Sequence, residues 1–196
     1  ITKKPIANIQ PTYYVGNDSA FMIYPISDSE VYCYGQIMDE QGQYAALPSD
    51  KALQDIFSEY DVPVVQCVKD LSEQQHIVLG QLKSVEQTES VFDRVVLVGD
   101  ALHGCPPSLQ QGAGMSLEDI NCLADNLSNK SVDEALKAYK TARAERVTWT
   151  VSESNKIIKL AGLGRSPIGR FIRNSIIRLK GPANVVGWRK LLKEWQ

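Results

Sequence analysis

The run RVVLVGD at Arg94–Asp100 and the stretch ALHGCPPSLQQGAGMSLED at residues 101–119 decide how the rest of the chain is read. Arg94–Gly99 is compact, apolar and rich in valine, which predicts a strand buried on both faces. It closes on Asp100, passes through a loop containing Pro106 and Pro107, and reaches Gly112-Ala113-Gly114. A helix is predicted from there, with Met115, Leu117, Ile120, Leu123 and Leu127 as its apolar positions. An acid at the carboxyl end of a buried strand, followed by a glycine-rich helix start, is where open α/β sheets bind ligands. Ionised, Asp100 accepts hydrogen bonds from the hydroxyls of a sugar or polyol. The first amides of the helix lack intrahelical partners and carry the positive end of its dipole, so they favour an electron-rich oxygen or an anion. Glycines at 112 and 114 let a flat ligand approach the backbone. On spacing alone, a turn cap at Asp100 and a plain helix start account for the same residues equally well.

Upstream of this stretch the pattern is that of strands. PTYYVG, Phe21–Ile26 (FMIYPI) and Glu30–Ile37 (EVYCYGQI) are rich in tyrosine, valine and isoleucine. In the last of these, Val31, Cys33, Gly35 and Ile37 alternate with Tyr32, Tyr34 and Gln36, so the two faces of the sheet differ. Ser27-Asp28-Ser29 predicts the turn of a hairpin. Leu53, Ile56, Phe57 and Tyr60 predict an amphipathic helix starting near Ser49. VPVVQCV (62–68) and HIVLGQL (76–82) are read as further strands, giving an antiparallel or mixed sheet with a helix on one side. Downstream, Ser131-Val-Asp-Glu134 is a capping box that opens a long helix running towards Gly162-Leu-Gly164. After Pro167 a shorter helix is predicted, with Ile168, Phe171, Ile172, Ile176 and Leu179 on one stripe.

The 196 residues are 43% hydrophobic and 22% charged, the balance of an ordinary globular chain. No apolar run approaches the ~20 residues that a membrane-spanning helix needs. Lys3, Lys4 and Asn8 interrupt any signal-peptide core. Cys33, Cys67, Cys105 and Cys122 lie far apart with no C-x-x-C, against a disulfide scaffold or a zinc ribbon, and predict a reducing, cytoplasmic setting. Charge is unevenly spread. Residues 156–196 carry ten Lys or Arg against the single acid Glu194, a net of +9, whereas residues 1–155 carry a net of −11. The chain opens on Ile-Thr-Lys-Lys rather than Met, so it is expected to be a piece of something longer.

The stretch VVLVGDALHGCPPSLQQGAGMSLEDINCLADNL closely resembles the second flavin-binding motif of the para-hydroxybenzoate hydroxylase-like flavoprotein monooxygenases. Gly99, Asp100, Ala101, His103, Pro107, Gln111, Gly112, Gly114, Glu118 and Asp119 stand in that family's order and spacing. Gln110 departs from it, replacing the first glycine of the usual Gly-Gln-Gly turn. The resemblance extends upstream to the hairpin and downstream to ALKAYKTARAERV, and covers most of the chain. It implies an α+β fragment in three parts: a partial mixed or antiparallel substrate-domain sheet (1–90), the terminal strand–helix unit of an FAD-binding domain (91–130), and a C-terminal helical region (131–196).

The resemblance further implies that Gly99 and Asp100 bind FAD, the carboxylate of Asp100 taking the ribityl chain. The amides of Gly112, Ala113 and Gly114 would face the pyrimidine edge of the ring, where reduced flavin is negative. Pro107 would lie over the ring beside the substrate. The implied reaction is hydroxylation of a small, aromatic substrate with O₂ and NAD(P)H through a flavin C4a-hydroperoxide. Tyr14, Tyr24, Tyr32 and Tyr34 are candidates for the substrate pocket, although at most half can point inward, because only one face of each strand can. Non-monooxygenase FAD oxidoreductases of the same fold, of prenyl reductase or halogenase type, are the alternative.

The chain lacks the G-x-G-x-x-G that follows the first strand of such enzymes and holds the FAD pyrophosphate. It is therefore expected to be the C-terminal half of one, with the missing N-terminal half as its partner, and to be inactive and weak in FAD binding alone. Other chemistries are less well supported. Asp100, His103 and Ser108 sit in one short loop with no G-x-S-x-G elbow, which argues against a hydrolase triad. His103 and Cys105 have only His76 as a further histidine, so no metal site is expected. Nucleic-acid binding is not expected of an acidic body without interleaved aromatic and basic residues. Arg170, Arg173, Arg178 and Lys180 flank the Ile168–Leu179 stripe, a pattern that suits peripheral contact with an anionic membrane. Packing of that stripe on the acidic body or on the absent half is the favoured expectation.

Overall fold

The tyrosine-rich hairpin forms as its alternation predicts. In the computed structural model, which describes residues 1–3, 5–39, 41–45, 47–74, 77–181 and 183–194, strands β1 (Thr2–Lys3), β2 (Thr12–Val15), β3 (Ser19–Pro25) and β4 (Glu30–Ile37) make one sheet. Its order is β1-β4-β3-β2 and every pairing is antiparallel. The turn between β3 and β4 is held by Ser27 Oγ, which accepts from the Glu30 amide at 3.0 Å. Pairing of Phe21 with Gly35 and of Ile23 with Cys33 sends Phe21, Ile23 and Val31 to one face. That face is covered by α1 (Ser49–Phe57) and α2 (Val62–Gln74), burying Phe57, Val64, Cys67 and Val68 against the strands. Phe21 and Phe57 meet edge to face with ring centres 4.9 Å apart, a geometry that adds to the area they bury.

Two strand expectations fail here. VPVVQCV lies in α2, because Val64, Cys67, Val68 and Leu71 repeat at i, i+3, i+4 and i+7 and all four are buried on one helical face. Its β-branched content argued for a strand; the spacing of the buried positions decided for a helix. HIVLGQL makes no strand over residues 77–82, where Val78 is 98% exposed, and His76 lies outside the described residues.

The chain divides into two compact units, residues 1–80 with 161–173, and residues 81–160 with 174–196. These differ from the divisions at 90/91 and 130/131 expected from sequence. Residues 81–90 and 131–160 join the second unit, and 161–173 return to the first.

In the second unit, β5 (Val91–Phe92) pairs antiparallel with β6 (Val95–Val96). Then come α3 (Asp100–His103), a 3₁₀ turn at Pro107–Leu109, α4 (Gly112–Asn129) and α5 (Val132–Gly162). Its core joins Leu102, Met115, Tyr139 and Val147, with Val96 and Leu97 against them. The Arg94–Gly99 strand is not buried on both faces: Val95 is 60% exposed, because among the described residues it has one two-residue neighbour. Likewise Met115 is buried on α4 while Leu117 and Ile120 are exposed. At the start of α5, Glu134 Oε2 accepts from the Ser131 amide at 3.2 Å and from its hydroxyl at 2.6 Å. Half of the capping box forms, since that hydroxyl turns to the carboxylate instead of a first-turn amide.

Helices α6 (Pro167–Lys180) and α7 (Ala183–Glu194) follow, the second unforeseen from sequence. Trp188 of α7 donates its indole N–H to the Leu109 carbonyl at 2.9 Å.

Candidate functional site

Asp119 organises the loop that the sequence singled out. It is fully buried and accepts the Gly99 amide at 2.9 Å and His103 Nε2 at 3.0 Å, both on Oδ2. Its other oxygen accepts Arg143 Nε of α5 at 2.7 Å. Burial pushes this carboxyl up, but the hydrogen bonds from His103, Gly99 and Arg143 outweigh it and hold the group below its ordinary range. Gly99 and His103 bracket α3, so one ionised side chain anchors both ends of the short helix that begins with Asp100. Gly99 has φ +59°, and in this left-handed region glycine avoids the strain other residues incur. A Cβ on Gly104, just past the same helix, would stand 2.6 Å from the Asp100 carbonyl. That contact closes the turn to any larger residue.

Glu118, next to Asp119, is shared by Arg143 Nη1 at 2.7 Å and Arg146 Nη2 at 3.2 Å. Arg146 also donates to Gln111 Oε1 at 2.8 Å, tying the residue before Gly112 to α5. Sequence reading placed Glu118 and Asp119 in the motif but gave them no task, and it missed Arg143 and Arg146. Two arginines three apart in TARAERV, opposite an adjacent acid pair, were the available signal.

This scaffold shapes a cleft of about 570 Å³ whose lining includes Asp100, Pro107, Gln111, Gly112, Ala113 and Ser154. Asp100 is exposed there, and a Cβ placed on Gly112 would lie 3.9 Å from its Oδ1, so carboxylate and helix start adjoin. No side chain caps α4, whose first three residues, Gly112, Ala113 and Gly114, are exposed. A Cβ on Gly114 would meet nothing within 4 Å. Gln110 adopts φ +55° and ψ +35°, the left-handed conformation open to the glycine it replaces. Gln110 thus occupies a left-handed position for which glycine is the unstrained residue.

Two further polar atoms are buried at residues of this lining. His103 Nδ1 and Ser154 Oγ have no hydrogen-bond partner among the described residues. Paired with the ionised Asp119 carboxylate, His103 Nε2 is the ring nitrogen that donates in this contact, and Nδ1 is the one left to meet a ligand or water. Burial pushes the Cys105 thiol up, away from thiolate. These features fit a flavin: an acceptor for hydroxyls at Asp100, uncapped amides for an electron-rich edge, and exposed glycines that leave the helix start bare of side chains at 112 and 114.

The tyrosine candidates separate in the first unit. Tyr24 pairs with Tyr32 and Met22 with Tyr34, placing three of the four candidates on the sheet face opposite the helices, more than the half expected, because the antiparallel register brings Tyr24, Tyr32 and Tyr34 to the same side. Tyr13, not a candidate from sequence, pairs with Met22 on this same face. Its hydroxyl accepts from Gln36 Nε2 at 3.0 Å. Tyr14 pairs with Phe21 and packs on the core, so it leaves the group: the two-residue period turns it to the helix-covered side. Burial, with Tyr34 and Tyr60 nearby, pushes the Tyr13 hydroxyl up to about 12. The phenol therefore stays protonated at neutral pH.

Comparison with known proteins bears on the family and the fold. The chain is 26% identical over 157 residues to 2-heptyl-3-hydroxy-4(1H)-quinolone synthase of Pseudomonas aeruginosa, covering 79% of this chain and 41% of that protein. It is 30% identical over 154 residues to the FAD-dependent monooxygenase sor5 of Hypocrea jecorina, covering 64% and 33% respectively. Among solved structures, Klebsiella pneumoniae HpxO complexed with FAD and uric acid superposes with a TM-score of 0.63 at 20% identity, over 90% of this chain and 48% of that one. The chain thus spans less than half the length of these relatives, and its fold is that of the matching part of HpxO. Residues 3–154 match the family described as FAD binding domain, and the chain belongs to that family.

Proposed function

We propose that this chain supplies the ribityl-binding and pyrimidine-binding side of an FAD site in a monooxygenase that hydroxylates a small aromatic substrate, with NAD(P)H as co-substrate. The observation that carries the reading is the Asp100 carboxylate beside the uncapped helix start at Gly112, in one cleft with Pro107. When bound, FAD would supply two-electron transfer from the nicotinamide and activation of O₂. The residues of the chain hold and orient. Asp100 accepts ribityl hydroxyls, and the amides of Gly112, Ala113 and Gly114 donate to the negative edge of the reduced ring. Pro107 walls the ring and keeps water from it. His103 Nδ1 and Ser154 Oγ offer two more positions for a hydroxyl or a water. Tyr24, Tyr32 and Tyr34 present an aromatic, hydroxyl-bearing face suited to a planar substrate.

The remainder of the site would come from a half bearing G-x-G-x-x-G. The exposed Val95, Leu117 and Ile120 support this reading, as apolar positions that further sheet would cover. A flavin-fluorescence titration tests both parts. The chain alone should quench FAD weakly, and tight stoichiometric quenching would overturn the divided site. Joined to the N-terminal half of a matched relative, the wild type should bind FAD at least ten-fold tighter than Asp100→Ala. Equal binding would remove Asp100 from the site.

A further inference from the structure

The apolar stripe of α6 faces outward. Ile168, Phe171 and Leu179 are 76%, 75% and 86% exposed, while Gly169 and Arg173 are buried on the other side. The inner side is held in the first unit, where Arg170 donates to Asn17 Oδ1 and Arg173 to the Asn17 carbonyl. An amphipathic helix ordinarily turns its apolar stripe inward. Here these three side chains do not pack on the acidic body, which removes one of the two parts of the favoured expectation; packing on a missing half is not tested by this chain.

The charge around the stripe is of one sign. The helix carries no acid; of its four cations Arg170 and Arg173 are turned inward to Asn17, and Arg178 and Lys180 are exposed next to Leu179. From Lys156 to Lys193 the sequence contains no acidic residue at all. An ordinary protein interface has no need of so long a stretch of one sign, and nucleic acid offers no apolar phase for Phe171 and Leu179 to enter. An anionic lipid surface meets both demands, with headgroups for the cations and an acyl boundary for the stripe.

We propose that α6 is a membrane-docking helix that lies in the plane of an anionic bilayer surface, inserting Ile168, Phe171 and Leu179. This inference does not depend on the flavin reading. The full chain should co-sediment with vesicles of phosphatidylglycerol and phosphatidylcholine in equal parts, and not with phosphatidylcholine alone. Binding should fall at least ten-fold near 1 M salt, where the Debye length is about 3 Å. The variant Phe171→Glu/Leu179→Glu should lose binding with an unchanged circular dichroism spectrum, since both residues are exposed. Arg178→Gln/Lys180→Gln, which spares the apolar stripe, should weaken binding roughly ten-fold or more. The proposal is overturned by absent binding to the anionic vesicles, by equal binding to neutral ones, or by binding that Phe171→Glu/Leu179→Glu leaves intact. A dimer in sedimentation velocity that the same variant abolishes, without vesicle binding, would make this face a self-association surface instead.

Discussion

Arg143 reaches across from α5 to Asp119 of α4, Nε to Oδ1 at 2.7 Å, with both side chains buried. Through Asp119 the contact extends to the Gly99 amide and to His103, and so to the two ends of the helix that starts at Asp100. Removing one partner strands the other charge. Arg143→Ala should destabilise the second unit by about 3–5 kcal/mol, measured by urea unfolding. A loss under about 1 kcal/mol would mean that the pair is more hydrated than its burial implies.

The same network sets a pH dependence. The Asp119 carboxyl is held below its ordinary range in the fold, so the unfolded chain binds more protons as acid is added. Its stabilising contribution is complete above the unfolded pKa of about 4 and is lost as pH falls through the lower, folded value. Glu118 shifts in the same direction: burial pushes it up, but Arg146 and Arg143 outweigh that. Urea midpoints between neutral pH and pH 3 should fall more steeply for the wild type than for Asp119→Asn. Parallel curves would remove Asp119 from the acid response.

Gln110 occupies a left-handed position. Replacing it tests whether the turn needs glycine or only tolerates its absence. Gln110→Gly should be more stable than Gln110→Ala by about 1 kcal/mol, because alanine incurs the left-handed strain and glycine does not. Thermal melts of the two variants decide it, and equal melting would place the strain elsewhere.

Gly104 and Gly112 should respond differently. Gly104→Ala brings a methyl within 2.6 Å of the Asp100 carbonyl, which is backbone and cannot swing aside, so the variant should lose stability and displace Asp100. Gly112→Ala meets only Asp100 Oδ1, at 3.9 Å. It should keep the wild-type melting temperature while weakening FAD binding in a chain completed by a G-x-G-x-x-G half. A melting temperature lowered as far as in Gly104→Ala would show that Gly112 is structural.

Trp188 ties α7 to the Pro107–Leu109 turn by one hydrogen bond. Trp188→Phe should cost about 1 kcal/mol in urea unfolding, with the turn more exposed to hydrogen exchange. Unchanged exchange at Leu109 and Gln110 would mean that packing alone holds the turn.

Local chemistry was legible in the sequence. The alternation in Glu30–Ile37, the serines of the hairpin turn, the helix starts at Ser49 and Pro167 and the glycine-rich opening of α4 each depend on neighbours a few residues away, and each is found. The flavin motif was legible for the same reason, since strand end, loop and helix start lie within one contiguous stretch. Sequence could not assign a face where the opposing surface comes from far along the chain. Valine content favoured a strand at 62–68, and packing of Val64, Cys67 and Val68 under the sheet made a helix. Tyr14 and Tyr13 differ by one residue, and only strand register decides which reaches the open face. The arginines that hold Glu118 and Asp119 lie about 25 residues away on another helix. Their role exists only because folding removes water from the acids, which makes a paired charge necessary.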